Sequence, residues 1–209
     1  MFYLNLTFSA CGFLGIYHLG AAVALHRHGN KLLSNIQNYA GASGGALVAA
    51  VLLSQPDKLE QCKEFTYGFA ADVRKQKLGA LTPGFDFMKH LREGMESILP
   101  ADAHERTHQR LHVSITNVKT MKNCLISSFS TREDLITVLL ASSYVPFYTG
   151  IKAVKYRGET VTDLDPRPPL TLGPSACNDG GNFTRWMHWQ LCCGLNNFTP
   201  IICRLDSMF

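Results

Sequence analysis

Residues 36–53 read IQNYAGASGGALVAAVLL and place three candidate structures in direct succession. Residues 36–39 are a short strand candidate, residues 41–45 are rich in glycine, and residues 46–53 are an apolar helix candidate that ends before Pro56. The central five residues match G-x-S-x-G, in which a serine occupies a sharp turn between a strand and a helix. The alternative is a glycine-rich turn in which the serine only caps the helix.

Ser43 is the candidate nucleophile of this turn. Such a turn exposes the hydroxyl at the edge of the sheet, beside the N-terminus of a helix that favours a developing negative charge. It leaves no room for bulky neighbours, so small residues are required around the serine. The small residues present are Gly41, Ala42, Gly44 and Gly45. We therefore predict a nucleophile elbow with covalent chemistry at Ser43.

A second glycine turn follows the first strand candidate, residues 4–10, and opens a helix candidate at residues 16–27. Gly12 and Gly15 lie in this turn, where exposed backbone N–H groups could stabilise an oxyanion formed at Ser43. The turn lacks the lysine and Ser/Thr of a phosphate-binding P-loop and the full spacing of a dinucleotide-binding loop. We predict no cofactor.

Alternating strand and helix candidates predict an α/β fold with a central, largely parallel sheet. Downstream of the elbow they are a helix at 57–77, strands at 111–118 and 124–130, a helix capped by Thr131 and reaching 141, and a hairpin around 157–158. After residue 163 the composition changes to a proline-rich stretch followed by cysteines and both tryptophans. We predict one domain over residues 1–163 and an atypical tail, 164–209, that completes or replaces the end of that domain.

Bulk composition narrows the functional classes. The 209 residues carry a net charge of only +4, without a block of five like charges, so the charge pattern does not indicate nucleic-acid binding. The seven cysteines lack zinc-like spacing before residue 177 and indicate reduced thiols in the cytosol. We expect no signal peptide, and residues 46–53 are too short to span a bilayer. A soluble or peripherally bound intracellular protein is predicted.

Residues 104–108 read HERTH and match the zinc motif H-E-x-x-H. A zinc site needs both histidines on one face of a sustained helix, with a third ligand beyond it. The surrounding segment is short and polar, follows Pro100, and runs into a strand by residue 111 or 112. We predict a solvated polar helix and no metal site, so a zinc peptidase ranks last among the candidate functions.

Four separated blocks resemble the patatin-like phospholipase domain family, and in particular its adiponutrin and adipose triglyceride lipase group. They are CGFLGIYHLG at 11–20, GASGGALVA at 41–49, LHVSITNVKT at 111–120 and LLASSYVPFY at 139–148. The resemblance covers residues 1 to about 163. It implies a three-layer patatin fold, hydrolysis of triacylglycerol, phospholipid or retinyl ester through an acyl-enzyme, and peripheral association with lipid droplets or membranes in the cytoplasm.

The same resemblance implies a Ser–Asp dyad, with Ser43 as nucleophile, Gly12 and Gly15 in the oxyanion loop, and an aspartate in an Asp-Gly-Gly motif as proton acceptor. Two aspartates qualify. Asp179 matches by motif because Gly180 and Gly181 follow it, whereas Asp163 matches by its register after the hairpin but is followed by Leu-Asp. We predict Asp179, with Asp163 as the alternative. If neither aspartate serves, the chain is a catalytically impaired or regulatory variant with a foreign tail.

Overall fold

A computed structural model describes residues 4–150 and 153–163 and the backbone of residues 206–207. The predicted α/β fold is confirmed: helices pack around a sheet whose centre is parallel. The strands are Leu4–Phe8 (β1), Ile36–Gly41 (β2), Leu111–Asn117 (β3), Asn123–Ile126 (β4), Val154–Tyr156 (β5), Glu159–Thr162 (β6) and Asp206–Ser207 (β7).

The helices around this sheet agree with the sequence pattern except at residues 30–33 and 87–98, where no helix was predicted. They are Gly15–His28 (α1), Asn30–Leu33 (α2), Gly44–Ser54 (α3), Leu59–Lys75 (α4), Phe87–Ile98 (α5), Ala103–Thr107 (α6) and Arg132–Ser143 (α7). The sequence pattern had not predicted α5. Its start is nevertheless well defined, because the Asp86 carboxylate accepts a hydrogen bond from the backbone N–H of Lys89 at 2.9 Å.

Strand pairing places the ends of β2 and β6 at one edge of β3. The strands β1, β2 and β3 pair in parallel, and β2 pairs with the first half of β3 through Leu111 to Val113. The strand β6 runs antiparallel to β3 and pairs with Thr116 and Asn117. The strand β4 pairs along the opposite edge of β3, so β6 and β2 share one edge. The chain leaving β2 and the chain leaving β6 therefore approach each other.

The helix α3 lies at the centre of the domain and contacts β1, β2 and β3. It contains no charged residue, and eight of its eleven residues are buried. A helix that is apolar on all sides packs in a core rather than at a surface. The site at the N-terminus of α3 therefore lies on a rigid element. Within the described residues, none of the helices has the length and apolar character needed to cross a membrane.

Candidate active site

Ser43 adopts the strained backbone of a sharp strand-to-helix turn. It follows β2 directly, precedes the first residue of α3, and has φ 53° and ψ −131°. A non-glycine residue in such a conformation costs of order 1–3 kcal/mol and persists only where the surroundings enforce it. The residue is 9% exposed, so its hydroxyl opens into the interior of the site rather than into bulk solvent. This geometry agrees with the predicted elbow.

Two glycines permit the turn by close backbone approach. A Cβ on Gly41 would lie 2.5 Å from Ala46 N, and one on Gly45 would overlap the backbone carbonyls of Phe8 and Ser9. Ala42 fits in the elbow because it is small, and it is 2% exposed. The elbow therefore packs closely against the end of β1 on one side and against α3 on the other.

Ser142, the penultimate residue of α7, forms a hydrogen bond with the elbow. The backbone N–H of Ser43 donates to Ser142 Oγ at 2.9 Å, and the Ser142 hydroxyl donates to the backbone carbonyl of Ser114 in β3 at 2.7 Å. Ser142 is fully buried. Ser142 lies within residues 139–148, a block that resembles the family, and nothing in that block indicates this role.

The Ser43 hydroxyl lies beside the Asp163 carboxyl group, near enough to lower the pKa of that group. Asp163 follows β6 immediately, and its backbone N–H donates to Tyr144 O at 3.0 Å. The hydroxyl of Thr162 donates to the same carbonyl at 2.8 Å. The two residues of the pair meet because β2 and β6 end toward each other along β3.

Burial raises the pKa of Asp163 to about 7, and the hydrogen bond from Ser43 opposes this shift. Removal from water disfavours the charged carboxylate, whereas a donor hydroxyl stabilises it. A carboxylate with a pKa near 7 is a better proton acceptor than one near the ordinary value of 3.8, and it still ionises around neutral pH.

The glycine turn after β1 lies against the start of α3. Gly12 has φ +51°, and a Cβ on Gly44 would lie 3.0 Å from Gly12 O. Gly44 begins α3, so its N–H lies in the first turn, where helical N–H groups have no partner within the helix. The N–H of Gly15 donates to Gly12 O, so Gly15 shapes the loop while its own N–H is engaged.

Cys11 lies beside the same turn, and its Sγ would be 3.2 Å from a Cβ on Gly15. Burial, with a smaller contribution from the charge of Asp163, raises the pKa of this thiol to about 12. The thiolate is the nucleophilic form of cysteine, so Cys11 is inert at neutral pH. The cysteines within the described residues, Cys11, Cys62 and Cys124, are free thiols, and only Cys62 is buried.

An apolar cavity of about 210 Å³ extends from Ser43 into the layer of helices. The walls are supplied mainly by α3, α4, α5 and α7, together with the Gly12–Gly15 turn. On the α4 and α5 walls, the Phe65 ring packs against Gly94, because a Cβ on that glycine would overlap the ring. The helix α5, missed at the sequence level, thus forms much of the cavity.

Exposed apolar side chains lie on or directly beside residues that line this cavity. Tyr148 lines the cavity and is 46% exposed, and the neighbouring Phe147 is 79% exposed with φ 66°. Leu14 is also exposed, between the cavity-lining residues Phe13 and Gly15. Exposed apolar groups that rim a cavity are typical of a surface that meets an apolar partner.

The HERTH segment has a different position. The helix α6 ends at Thr107, so His108 lies at its C-terminal cap rather than on a helical face shared with His104. Thr107 is fully buried, so the segment is not solvated on all sides, and the predicted solvated helix is wrong in this respect. Among the described residues, no group of three or more His, Cys, Asp or Glu side chains could hold a metal ion.

Asp179, Gly180 and Gly181 lie outside the described residues, as does the tail from residue 164 apart from the backbone of β7. The Asp179 assignment therefore stays a prediction. Residues missed at the sequence level, Ser142 and Ser143 among them, belong to a block whose apolar helix gave no chemical signal for a serine. Only the contact of α7 with β3 reveals their neighbourhood.

The comparisons with known proteins identify one family. The model of a family described as patatin-like phospholipase matches residues 6–183. Human patatin-like phospholipase domain-containing protein 4 is 62% identical over 163 residues, which cover 78% of this chain and 64% of that protein. Mouse patatin-like phospholipase domain-containing protein 2 is 36% identical over 76% of this chain and 32% of its own length. Human 1-acylglycerol-3-phosphate O-acyltransferase PNPLA3 is 32% identical over 81% of this chain and 37% of its own length.

Proposed function

This chain belongs to the patatin-like phospholipase family, and on that premise we propose that it is a serine hydrolase of lipid acyl esters. The observation that carries the proposal is the placement of Ser43, on a strained turn that lines an apolar cavity, next to the buried carboxyl group of Asp163. The chain spans 64% of the length of the first relative and about a third of the other two, so its own activity is a proposal.

In the proposed acylation step, Asp163 takes the hydroxyl proton while Ser43 Oγ attacks the ester carbonyl carbon. The carbonyl oxygen becomes an oxyanion, to which the N–H groups of Gly12 and Gly44 donate. When the tetrahedral intermediate collapses, the bond to the alcohol oxygen breaks. Asp163 returns its proton to that oxygen, and the acyl group stays on Ser43.

We favour Asp163 over Asp179 as the proton acceptor because a base must lie within hydrogen-bond reach of the group that it deprotonates. Asp163 has that contact and a pKa near 7. Asp179 is still favoured by its Asp-Gly-Gly motif. It also lies within the residues that the family model matches, which end at residue 183. The two assignments are separated by substitution, as described below.

The substrate class follows from the cavity. Its lining is apolar apart from a few hydroxyl groups, among them those of Ser43, Thr66 and Ser143, so it fits a fatty-acyl chain better than a polar headgroup. Triacylglycerol, phospholipid and retinyl ester all present such a chain. We propose that the headgroup remains near the exposed apolar rim of Phe147, Tyr148 and Leu14. This rim would bring the protein to the surface of a lipid droplet or membrane from the cytoplasm.

The test uses a fluorophosphonate, which labels a serine that is activated as a nucleophile, together with hydrolysis of a long-chain acyl ester. Wild type should be labelled and should release fatty acid, and Ser43→Ala should lose both, by several orders of magnitude in rate. Ser54→Ala is the matched control, because Ser54 is buried in the same helix and donates to Ala50 O at 2.6 Å. Its activity should remain within a few-fold of wild type.

Labelling of folded Ser43→Ala at the wild-type rate would remove Ser43 from the mechanism. A folded wild type that is neither labelled nor active on any acyl ester would instead favour the catalytically impaired, regulatory alternative.

A further inference from the structure

Ser143, the last residue of α7, carries a buried hydroxyl that the proposed acylation step does not use. The residue is 7% exposed and lines the same cavity as Ser43. Its Oγ has no hydrogen-bond partner among the described residues. By contrast, the hydroxyl of Thr66 in the cavity wall donates to Cys62 O at 2.8 Å. A buried polar group without a partner costs about 1–3 kcal/mol, so a native one calls for an explanation.

The neighbours of Ser143 in the chain both contact the catalytic pair. Ser142 Oγ accepts the backbone N–H of Ser43 at 2.9 Å, and Tyr144 O accepts the backbone N–H of Asp163 at 3.0 Å. The end of α7 therefore lies on the Asp163 side of the nucleophile. The molecule that attacks the acyl-enzyme must approach from this side, because Asp163 takes its proton.

We propose that Ser143 Oγ binds the water that hydrolyses the acyl-enzyme, an inference that rests on the proposed function. One water hydrogen is directed to the Asp163 carboxylate and the other to Ser143 Oγ, which leaves a lone pair facing the acyl carbon. Asp163 removes its proton as the water oxygen bonds to that carbon. The bond to Ser43 Oγ then breaks, the fatty acid departs, and the Ser43 oxygen recovers the proton from Asp163.

The same contact distinguishes water from an alcohol as the acyl acceptor. An alcohol has a single hydroxyl hydrogen, which Asp163 requires, so an alcohol can only accept a hydrogen bond from Ser143, whereas water can also donate one to Ser143 Oγ. Ser143 therefore selects hydrolysis over acyl transfer to glycerol-type acceptors. A residue with this role determines how much of the acyl-enzyme is hydrolysed and how much passes its acyl group to an alcohol. It is not needed to form the acyl-enzyme.

The test is burst kinetics of Ser143→Ala with a long-chain p-nitrophenyl ester, whose leaving group departs without needing a proton. The initial burst, which reports acylation, should stay within about twofold of wild type. The steady-state rate, which reports deacylation by water, should fall roughly tenfold for the loss of one hydrogen bond. With 1-acylglycerol added as acceptor, the ratio of acyl transfer to hydrolysis should rise by a similar factor.

Three controls separate this role from a structural one. Ser143→Thr keeps the hydroxyl and should restore the steady-state rate to within a few-fold, and Thr66→Val, which removes a hydroxyl that already has a partner, should leave the partition unchanged. The melting temperature of Ser143→Ala should equal or exceed that of wild type, because no hydrogen bond to a described residue is lost.

Equal loss of burst and steady-state rates, an unchanged partition, or failure of Ser143→Ala to fold would overturn the inference. Fluorophosphonate labelling of Ser43 is measured in parallel. Absence of labelling in wild type means that the proposed function itself has failed, whereas normal labelling with an unchanged partition means that only the role of Ser143 has failed.

Discussion

Ser142 Oγ lies 2.9 Å from the backbone nitrogen of Ser43 and accepts its N–H, although Ser142 belongs to α7 and Ser43 to the turn that precedes α3. The Ser142 hydroxyl is at the same time the donor to Ser114 O in β3. The strained turn at Ser43 is therefore held by hydrogen bonds to residues of α7 and β3, which are distant in the chain. It also engages the N–H of Ser43, which leaves the N–H of Gly44 as the elbow's candidate oxyanion donor.

Replacement of Ser142 by alanine should destabilise the fold and slow the enzyme. Two buried backbone groups, Ser43 N–H and Ser114 O, would lose their partner, at a cost of about 1–3 kcal/mol in the free energy of unfolding. We expect the rate of fluorophosphonate labelling to fall at least about tenfold, because the elbow is no longer held. Urea unfolding and labelling kinetics measure the two effects. Labelling at the wild-type rate would show that the elbow holds itself.

Asparagine at position 163 should abolish the proton transfer while keeping the shape of the side chain. We predict that Asp163→Asn loses at least about 100-fold in kcat/KM, the lower range for removal of a general base. Asp179→Asn should retain most of the activity and is the matched control. The reverse outcome would assign the base to Asp179 and make the contact between Ser43 and Asp163 incidental.

The pH dependence of activity should report the pKa of Asp163, which burial raises to about 7. Because the carboxylate is the active form, kcat/KM should rise about tenfold per pH unit below that value and level off above it. Between 3.8 and about 7 the folded chain keeps a proton that the unfolded chain has released, so this group's contribution to stability falls as the pH rises.

Asp163→Asn provides the check on this pH prediction. With no carboxyl group at position 163, the variant should lose this contribution to the pH dependence of stability, and at pH 8 it should melt at or above the wild-type temperature. A wild-type activity profile that is flat from pH 5 to pH 8 would contradict the assignment of Asp163.

A methyl group at position 94 should shorten the cavity. In Gly94→Ala the new Cβ would overlap the Phe65 ring, and the open side available to that ring is the cavity that it lines. We expect the ratio of kcat/KM for long over short acyl esters to fall about tenfold or more, as for the loss of a few methylene contacts. Gly68→Ala is the control, since a Cβ there meets nothing within 4 Å. An unchanged ratio would place the acyl chain elsewhere.

A charge at position 147 should weaken attachment to a lipid surface. Phe147 is 79% exposed, and burial of such a side chain stabilises binding by about 1.5–3 kcal/mol. Aspartate tolerates the positive φ of 66° at this position, so Phe147→Asp tests hydrophobicity without added backbone strain. Vesicle flotation should show binding reduced about tenfold, with fluorophosphonate labelling in solution unchanged. Equal binding by wild type and variant would exclude this rim.

Tyr67→Asp is the comparison for that experiment. Tyr67 is 59% exposed on α4 but does not line the cavity. Its replacement should leave vesicle binding within about twofold of wild type. A loss of binding equal to that of Phe147→Asp would indicate a general charge effect rather than a docking rim.

The order of residues predicted those features that local physical chemistry controls. A strand followed by small residues and an apolar helix describes the elbow completely, because each requirement acts within a few residues of Ser43. Turn chemistry likewise predicted the hairpin, whose Arg157 and Gly158 both have positive φ. The helix α5 was missed although Asp86, Leu91 and Met95 carry the pattern of a capped amphipathic helix.

The tertiary structure supplied what depends on contacts between distant segments. The register after the hairpin made Asp163 only the alternative to Asp179, and Ser142 does not differ in its local sequence from other helix serines. Their contacts with Ser43 arise because β2 and β6 share one edge of β3 and because α7 packs against that strand. Strand pairing and helix packing are long-range and cooperative, so a motif can point to a candidate nucleophile, while the side chains that contact it depend on the fold of the whole domain.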